Sequence, residues 1–486
     1  MRASPNIALV FGDDVAPVVR RRLTYAFRVF CAVKGARAVD DRSGQSDVVR
    51  LCYGAPCRRQ GDVRLEPAYT ARPAAEPPGS PRTVAVNAPD GEAVAMPVFH
   101  SDGAPPECVD WLGEIFEWLS GTCERTATER DAVGRVPMSG APSRRFGLSP
   151  SIPYASVAVT ELDRRIARSA GGLWTAGLVS PWDDTPLGVA VTHDIDFLPD
   201  HPGASLSRWA RNTAVGAFRM RSLETAFRAG TSIARPFLGR TWLHNALRRF
   251  REREQKREVR STWTVVCRAE HGRDPTYRLE SDATRAALDG LASSGAEIGV
   301  HGSYTSLDGP GRLADEYDRL RVFGFRPVGG RQHWLRYDGD GLFRELERAG
   351  ALYDATAGFH EDVGFRHGAA FPFPPYDLER ERAFQLLELP LVVMDVALAV
   401  STPPDQRLDR CRAVLREASR WTWGGVSVLW HDTSLTNALH PESLGELYFE
   451  LLDGPGCFCT GKELAETVRE RYAVAGLKIG SAGGSS

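Results

Sequence analysis

The stretch "GVAVTHDIDFLPDHPG", Gly188 to Gly203, joins an apolar, β-rich run to two acids separated by one residue, Asp194 and Asp196. Residues two apart in an extended chain share a face, so these carboxylates point together and His193 points away. Side by side they repel, and one pKa rises unless a cation neutralises the pair. A divalent metal is the remedy, with one Asp as ligand and the other free to act as a base. His301 and one further imidazole would complete a mixed N/O site, which suits Zn²⁺ or a similar first-row metal. Such a metal polarises a substrate carbonyl and makes water a better nucleophile at neutral pH. His431 could then protonate a leaving amine. The chemistry would be hydrolysis of an amide or ester. Each group also has a plainer role. Asp-x-Asp is a common pair, His301 before "GSY" could be a turn histidine, "RQHW" could pack Arg331 against Trp334, and His431 could simply cap a strand.

These residues recur at one place in a repeating pattern. "STWTVVC" (Ser261 to Cys267) has strand composition. Ser281 can cap a helix carrying Leu288 and Leu291, stopped by Gly295, and "EIGV" then leads to His301. Leu313, Tyr317 and Leu320 mark another helix, followed by "RPVGGRQH" ending at His333. A helix around Leu342, Phe343 and Leu346 precedes "ALYDAT", ending near Asp354, and "LLELPLVVMD" and "GVSVLWHD" read as later strands. Alternating β and α elements predict a parallel sheet or barrel, whose active site lies at the C-terminal strand ends. Asp194, Asp196, His301, His333 and His431 all fall at such ends.

The chain has 486 residues, enough for two or three domains. Hydrophobic residues make up 42% and charged residues 25%, as in a globular protein with a sizeable core. A formal net charge of -2 gives no global field to recruit nucleic acid or a membrane. No apolar run reaches the ~18 residues of a spanning helix, and "MRASPNIALVFGDD" lacks the features of a secretory signal. The 9 Cys lack a Cys-x-x-Cys pair, "CFC" at Cys457 and Cys459 being the nearest thing to one. They read as buried thiols of a reducing compartment, which makes the cytoplasm the expected location. Residues 1–165 predict an α/β domain of unknown role, with strands "IALVF" and "DVVRLCYG" around a helix "PVVRRRLTYAFRVF". The breakers in "LVSPWDDTPLG" mark a boundary, 186–475 form the second domain, and 476–486 a flexible tail.

"THDID" resembles the first motif of the polysaccharide deacetylases, in an Asp-x-Asp variant of the usual Thr-Phe-Asp-Asp-Gly. "EIGVHGSYTS" is similar to the second motif, "GGRQHWLRYD" to the third, "YDATAGFHEDVGFRHG" with "LLELPL" to the fourth, and "LWHDTSL" to the fifth. They stand in the family's order over about Gly188 to Leu435. The resemblance implies a distorted (β/α)7 barrel and metal-dependent removal of acetyl groups from an N-acetylated sugar. It matches Asp194 to the general base, Asp196 to a metal ligand, His301 to the first metal histidine, Arg331 to the arginine orienting the base, and His431 to the general acid. The chain is also similar to a subgroup with an N-terminal extension before the barrel. It departs from the family where a second histidine belongs, four residues after His301, because Thr305 stands there. His333, from a neighbouring strand end, is the candidate substitute. Without it, the same barrel would be a metal-independent amidohydrolase or an inactive glycan-binding protein. A second departure is the segment 205–260, with 14 Lys or Arg against 4 Glu and interleaved aromatics. It reads as a basic helical insertion that is either simply solvated or a lid meeting an anionic glycan or membrane surface.

Overall fold

The computed structural model describes residues 4–41, 47–57, 61–65, 67–71, 81–100, 108–182, 185–196, 198, 241–435 and 443–480. The basic segment as far as 240 and the tail from 481 lie outside the described residues.

The N-terminal part opens with β1 (Asn6–Phe11), the helix Pro17–Lys34, β2 (Arg37–Ala38), β3 (Val48–Tyr53) and β4 (Val63–Leu65). They form a parallel sheet of order β2-β1-β3-β4. Proline at the start of the helix has no N–H to leave unpaired, and Gly35 ends it in the left-handed conformation at φ 77°. A hairpin of β5 (Arg82–Asn87) and β6 (Ala93–Val98) follows, then the long helix Tyr154–Ala170.

The larger sheet is parallel throughout. Its strands are β7 (Leu187–Ile195), β8 (Thr262–Val266), β9 (Glu297–Gly302), β10 (Gly329–Gln332), β11 (Tyr353–Asp354), β14 (Leu387–Glu388), β15 (Leu391–Met394), β16 (Gly424–Leu429) and β17 (Cys457–Cys459). An antiparallel ribbon of β12 (Tyr376–Asp377) and β13 (Arg382–Ala383) lies apart from it. The ladder runs β14-β11-β10-β9-β8-β7-β16-β15, a curled path of eight strands, with β17 pairing to β7. "LLELPLVVMD", expected as one strand, is two. Proline has no N–H for a ladder, and at Pro390 the chain leaves β14 beside β11 and enters β15 beside β16. The two ends of the ladder are thus joined by the chain itself.

The helices between strands follow the expected pattern. The Ser281 hydroxyl accepts the Thr284 N–H at 3.2 Å and caps the helix Asp282–Ser293, which buries Leu288 and Leu291. The helix Arg312–Val322 buries Leu313, Tyr317 and Leu320. Close approach at β10 demands glycine, since a Cβ on Gly330 would lie 1.9 Å from the Val300 carbonyl oxygen.

Phe30, Phe116 and Leu162 of the N-terminal part share one hydrophobic cluster with Tyr353, Phe371, Trp423 and Leu464. Trp423 Nε1 donates to the Val33 carbonyl at 2.7 Å across that junction. A second cluster lies between the strands of the large sheet and their helices. Among the described residues no helix is long and apolar enough to cross a membrane.

Candidate active site

Asp194 is the penultimate residue of β7, and Asp196 follows the strand. Asp194 is 2% exposed. Its Oδ1 accepts from Thr264 Oγ1 at 2.6 Å and from Arg331 Nη1 at 2.9 Å. Its Oδ2 lies 3.7 Å from His301 Nε2 and 3.9 Å from His431 Nε2. Burial pushes this carboxyl up, but His301, Arg331, His431 and the Thr264 hydroxyl outweigh burial and hold it far below the ordinary aspartate range. Arg331 is buried at the end of β10. Its Nε donates to the Ala355 carbonyl at 2.8 Å and its Nη2 to Thr192 Oγ1 at 2.8 Å. The plainer alternative, Arg331 packed on Trp334, does not form, because the buried Asp194 carboxylate claims the guanidinium. The cation facing Trp334 is Arg273, 5.7 Å from the ring centroid.

Asp196, His301 and His333 each bring one ligand atom into a group whose members lie within 4.8 Å of one another. Asp196 Oδ1 is 3.6 Å from His301 Nε2 and 3.8 Å from His333 Nε2. Ligand atoms around tetrahedral zinc, with bonds of about 2.0–2.2 Å, stand about 3.3–3.5 Å apart. The Asp196 spacings are wider than this by a few tenths of an ångström, so a cation between these atoms would draw them slightly inward. Asp196 Oδ1 and His301 Nε2 are buried and make no hydrogen bond, an arrangement costly to leave unsatisfied. His301 Nδ1 donates to the Arg331 carbonyl at 3.3 Å, and His333 Nδ1 faces Asp274 Oδ1 at 3.4 Å. Both imidazoles thus turn Nε2 toward Asp196, the orientation that second partners impose on metal-binding histidines. Burial raises the Asp196 carboxyl, yet His301, His333 and His431 bring it down to about 2.

His333 lies in the turn just after β10, one residue beyond the strand end expected for it. Thr305 is not a member of this group, and its Oγ1 accepts from Arg312 Nη2 at 3.1 Å. His431 follows β16. Its Nδ1 donates to Asp395 Oδ1 at 2.7 Å and its backbone N–H to Asp395 Oδ2 at 2.8 Å. Burial lowers its pKa, but Asp395, Asp196 and Asp194 together outweigh burial and push it up to about 10.

The six expected site residues, Asp194, Asp196, His301, Arg331, His333 and His431, are brought together. His193 points to the opposite side, as the alternation required. It is fully buried, its Nδ1 donating to the Trp430 carbonyl at 2.9 Å and its Nε2 3.1 Å from Glu254 Oε1. Asp274 and Asp395 were missed. Asp395 closes the run "LVVMD" at a strand end, the signal that marked the other residues, whereas Asp274 arrives on a loop and carries none.

No family model matches the chain, and no curated protein matches it. The solved structures that resemble it include two described provisionally as polysaccharide deacetylases. One, from Mycobacterium smegmatis, is 19% identical over 62% of this chain and 96% of its own, with a TM-score of 0.38. The other, from Bordetella bronchiseptica and described as involved in O-antigen biosynthesis, is 14% identical over 58% of this chain and 90% of its own, with a TM-score of 0.28.

Proposed function

We propose that the protein is a hydrolase that removes an acetyl group from an N-acetylated sugar of a glycan or glycan precursor. The observation that carries this reading is the buried Asp194 carboxylate with His431 Nε2 3.9 Å from its Oδ2, beside the Asp196, His301 and His333 group. The order of the five motifs and a curled parallel sheet of eight strands with the site at its C-terminal strand ends support the deacetylase class.

In the mechanism, Asp196, His301 and His333 would hold a divalent metal, zinc first among the candidates, and when bound it would supply Lewis-acid polarisation of the amide carbonyl and activation of water. Arg331 and Thr264 occupy Asp194 Oδ1 and leave Oδ2 to accept the proton of the attacking water. The water oxygen bonds to the acyl carbon. His431 then donates its Nε2 proton to the sugar nitrogen as the C–N bond breaks, giving a carboxylate and a free amine. Asp395 keeps His431 in the tautomer and charge state that step requires.

Purified protein incubated with N-acetylglucosamine oligomers should release acetate, and Asp194→Asn and His431→Ala should fold yet release none. A fully active Asp194→Asn protein would remove the reading. Acetate release that survives removal of all metal would favour the metal-independent amidohydrolase instead. Residues 1–165 are proposed to form a domain seated on the barrel. The segment 205–260 is proposed as a peripheral contact to an anionic surface, which binding to anionic vesicles at low salt would test.

A further inference from the structure

We propose that Arg135, from the N-terminal part of the chain, is a positioning residue for the metal ligand His333. The inference rests on reading His333 as a ligand. Directly after His333 the backbone takes two consecutive left-handed residues, Trp334 at φ 65° and Leu335 at φ 50°. Neither is glycine, and a bulky residue keeps that conformation only where its surroundings impose it. The turn on one side and β10 on the other hold the His333 backbone from which the imidazole projects.

Arg135 holds this turn by its peptide. Its Nη1 donates to the Trp334 carbonyl at 2.7 Å. The guanidinium is itself fixed, with Nε and Nη2 each 2.7 Å from Asp131 Oδ2. Asp131 Oδ1 accepts the N–H groups of Val133 at 2.9 Å and Arg135 at 3.0 Å, closing a small loop that aims the side chain. That loop is tied to the barrel by the Met138 N–H on Glu361 Oε2 at 2.8 Å. On its other side, Trp334 Nε1 donates to the Arg273 carbonyl at 3.3 Å. Arg135 therefore grips the turn's backbone from the N-terminal part, while Asp274 orients the His333 ring from the β8–β9 connection.

One departure of this chain from the deacetylase pattern is then linked to its N-terminal part. Thr305 replaces a histidine ligand, and a segment preceding the barrel holds the turn that supplies its substitute. A guanidinium that never touches metal or substrate contributes by narrowing the positions open to His333 Nε2.

The test is Co²⁺ titration of the full chain, read by the visible absorption of bound Co²⁺, with urea unfolding of each variant alongside. Arg135→Met should weaken Co²⁺ binding about 10–100-fold, the range for lost outer-shell partners of metal ligands. Arg135→Gln should weaken it in the same direction, and decides the matter where Arg135→Met does not fold. Because Arg135 acts through His333, the Arg135→Met/His333→Ala double variant should bind no more weakly than His333→Ala alone. Folded Arg135 variants with wild-type affinity, or losses that add in the double variant, overturn the proposal and leave the metal site standing. A wild-type chain that takes up no Co²⁺ overturns the metal reading, and this inference with it.

Discussion

Asp395 grips His431 twice, its Oδ1 accepting from Nδ1 at 2.7 Å and its Oδ2 from the backbone N–H at 2.8 Å. The carboxylate fixes the ring's position and tautomer together, and holds the imidazolium charged at neutral pH. The same aspartate directly follows β15, so the ends of two neighbouring strands jointly build the proposed acid.

Removing that charge gives the first prediction. Asp395→Asn should move the alkaline limb of the pH–rate profile toward neutral by about 1–3 units, the usual effect of losing an adjacent opposite charge. An unmoved limb would separate Asp395 from the acid. Stability should respond with the corresponding sign. The folded pKa of His431 lies above its ordinary value, so its stabilisation is complete below about pH 6.5 and is lost as pH rises toward 10. Asp395→Asn should flatten that decline in urea unfolding measured across this window.

Arg331 gives the second. Its guanidinium neutralises a buried carboxylate, and Arg331→Met would strand that charge. We expect a loss of about 3–5 kcal/mol at pH 7, the cost of breaking a buried pair from one side. Because Asp194 is depressed in the fold, the stability it contributes is present above about pH 3.8 and disappears as pH falls through its folded value. Wild-type unfolding midpoints for Arg331→Met at pH 7 would show that the pair does not hold the site together.

His193 supplies a contrast. Its partners are the Trp430 carbonyl and Glu254, and its ring lies 4.4 Å from that of Trp263. His193→Phe should cost about 1–3 kcal/mol through unsatisfied buried groups, and leave metal content unchanged. Thermal unfolding with elemental analysis checks both. Loss of metal would draw His193 into the site.

The site was legible where it depended on strand direction alone. Alternation placed Asp194 and Asp196 together and His193 opposite, and the β-then-α rhythm put His301 and His431 at the same end. Residues joined by tertiary structure were not legible. Asp274 reaches His333 from the loop after β8, and Arg135 reaches Trp334 across 199 residues of chain. Local pattern could not distinguish one strand from two at Leu389 and Pro390, since both halves are apolar. Nor could it show that Phe30 and Phe116 share a hydrophobic cluster with Trp423.

The most direct measurement is the metal content of the purified wild-type and His333→Ala proteins by elemental mass spectrometry. The account predicts close to one equivalent of zinc or a similar divalent metal in the wild type, and a marked loss in His333→Ala. A wild-type protein that is metal-free and takes up no added zinc would contradict it.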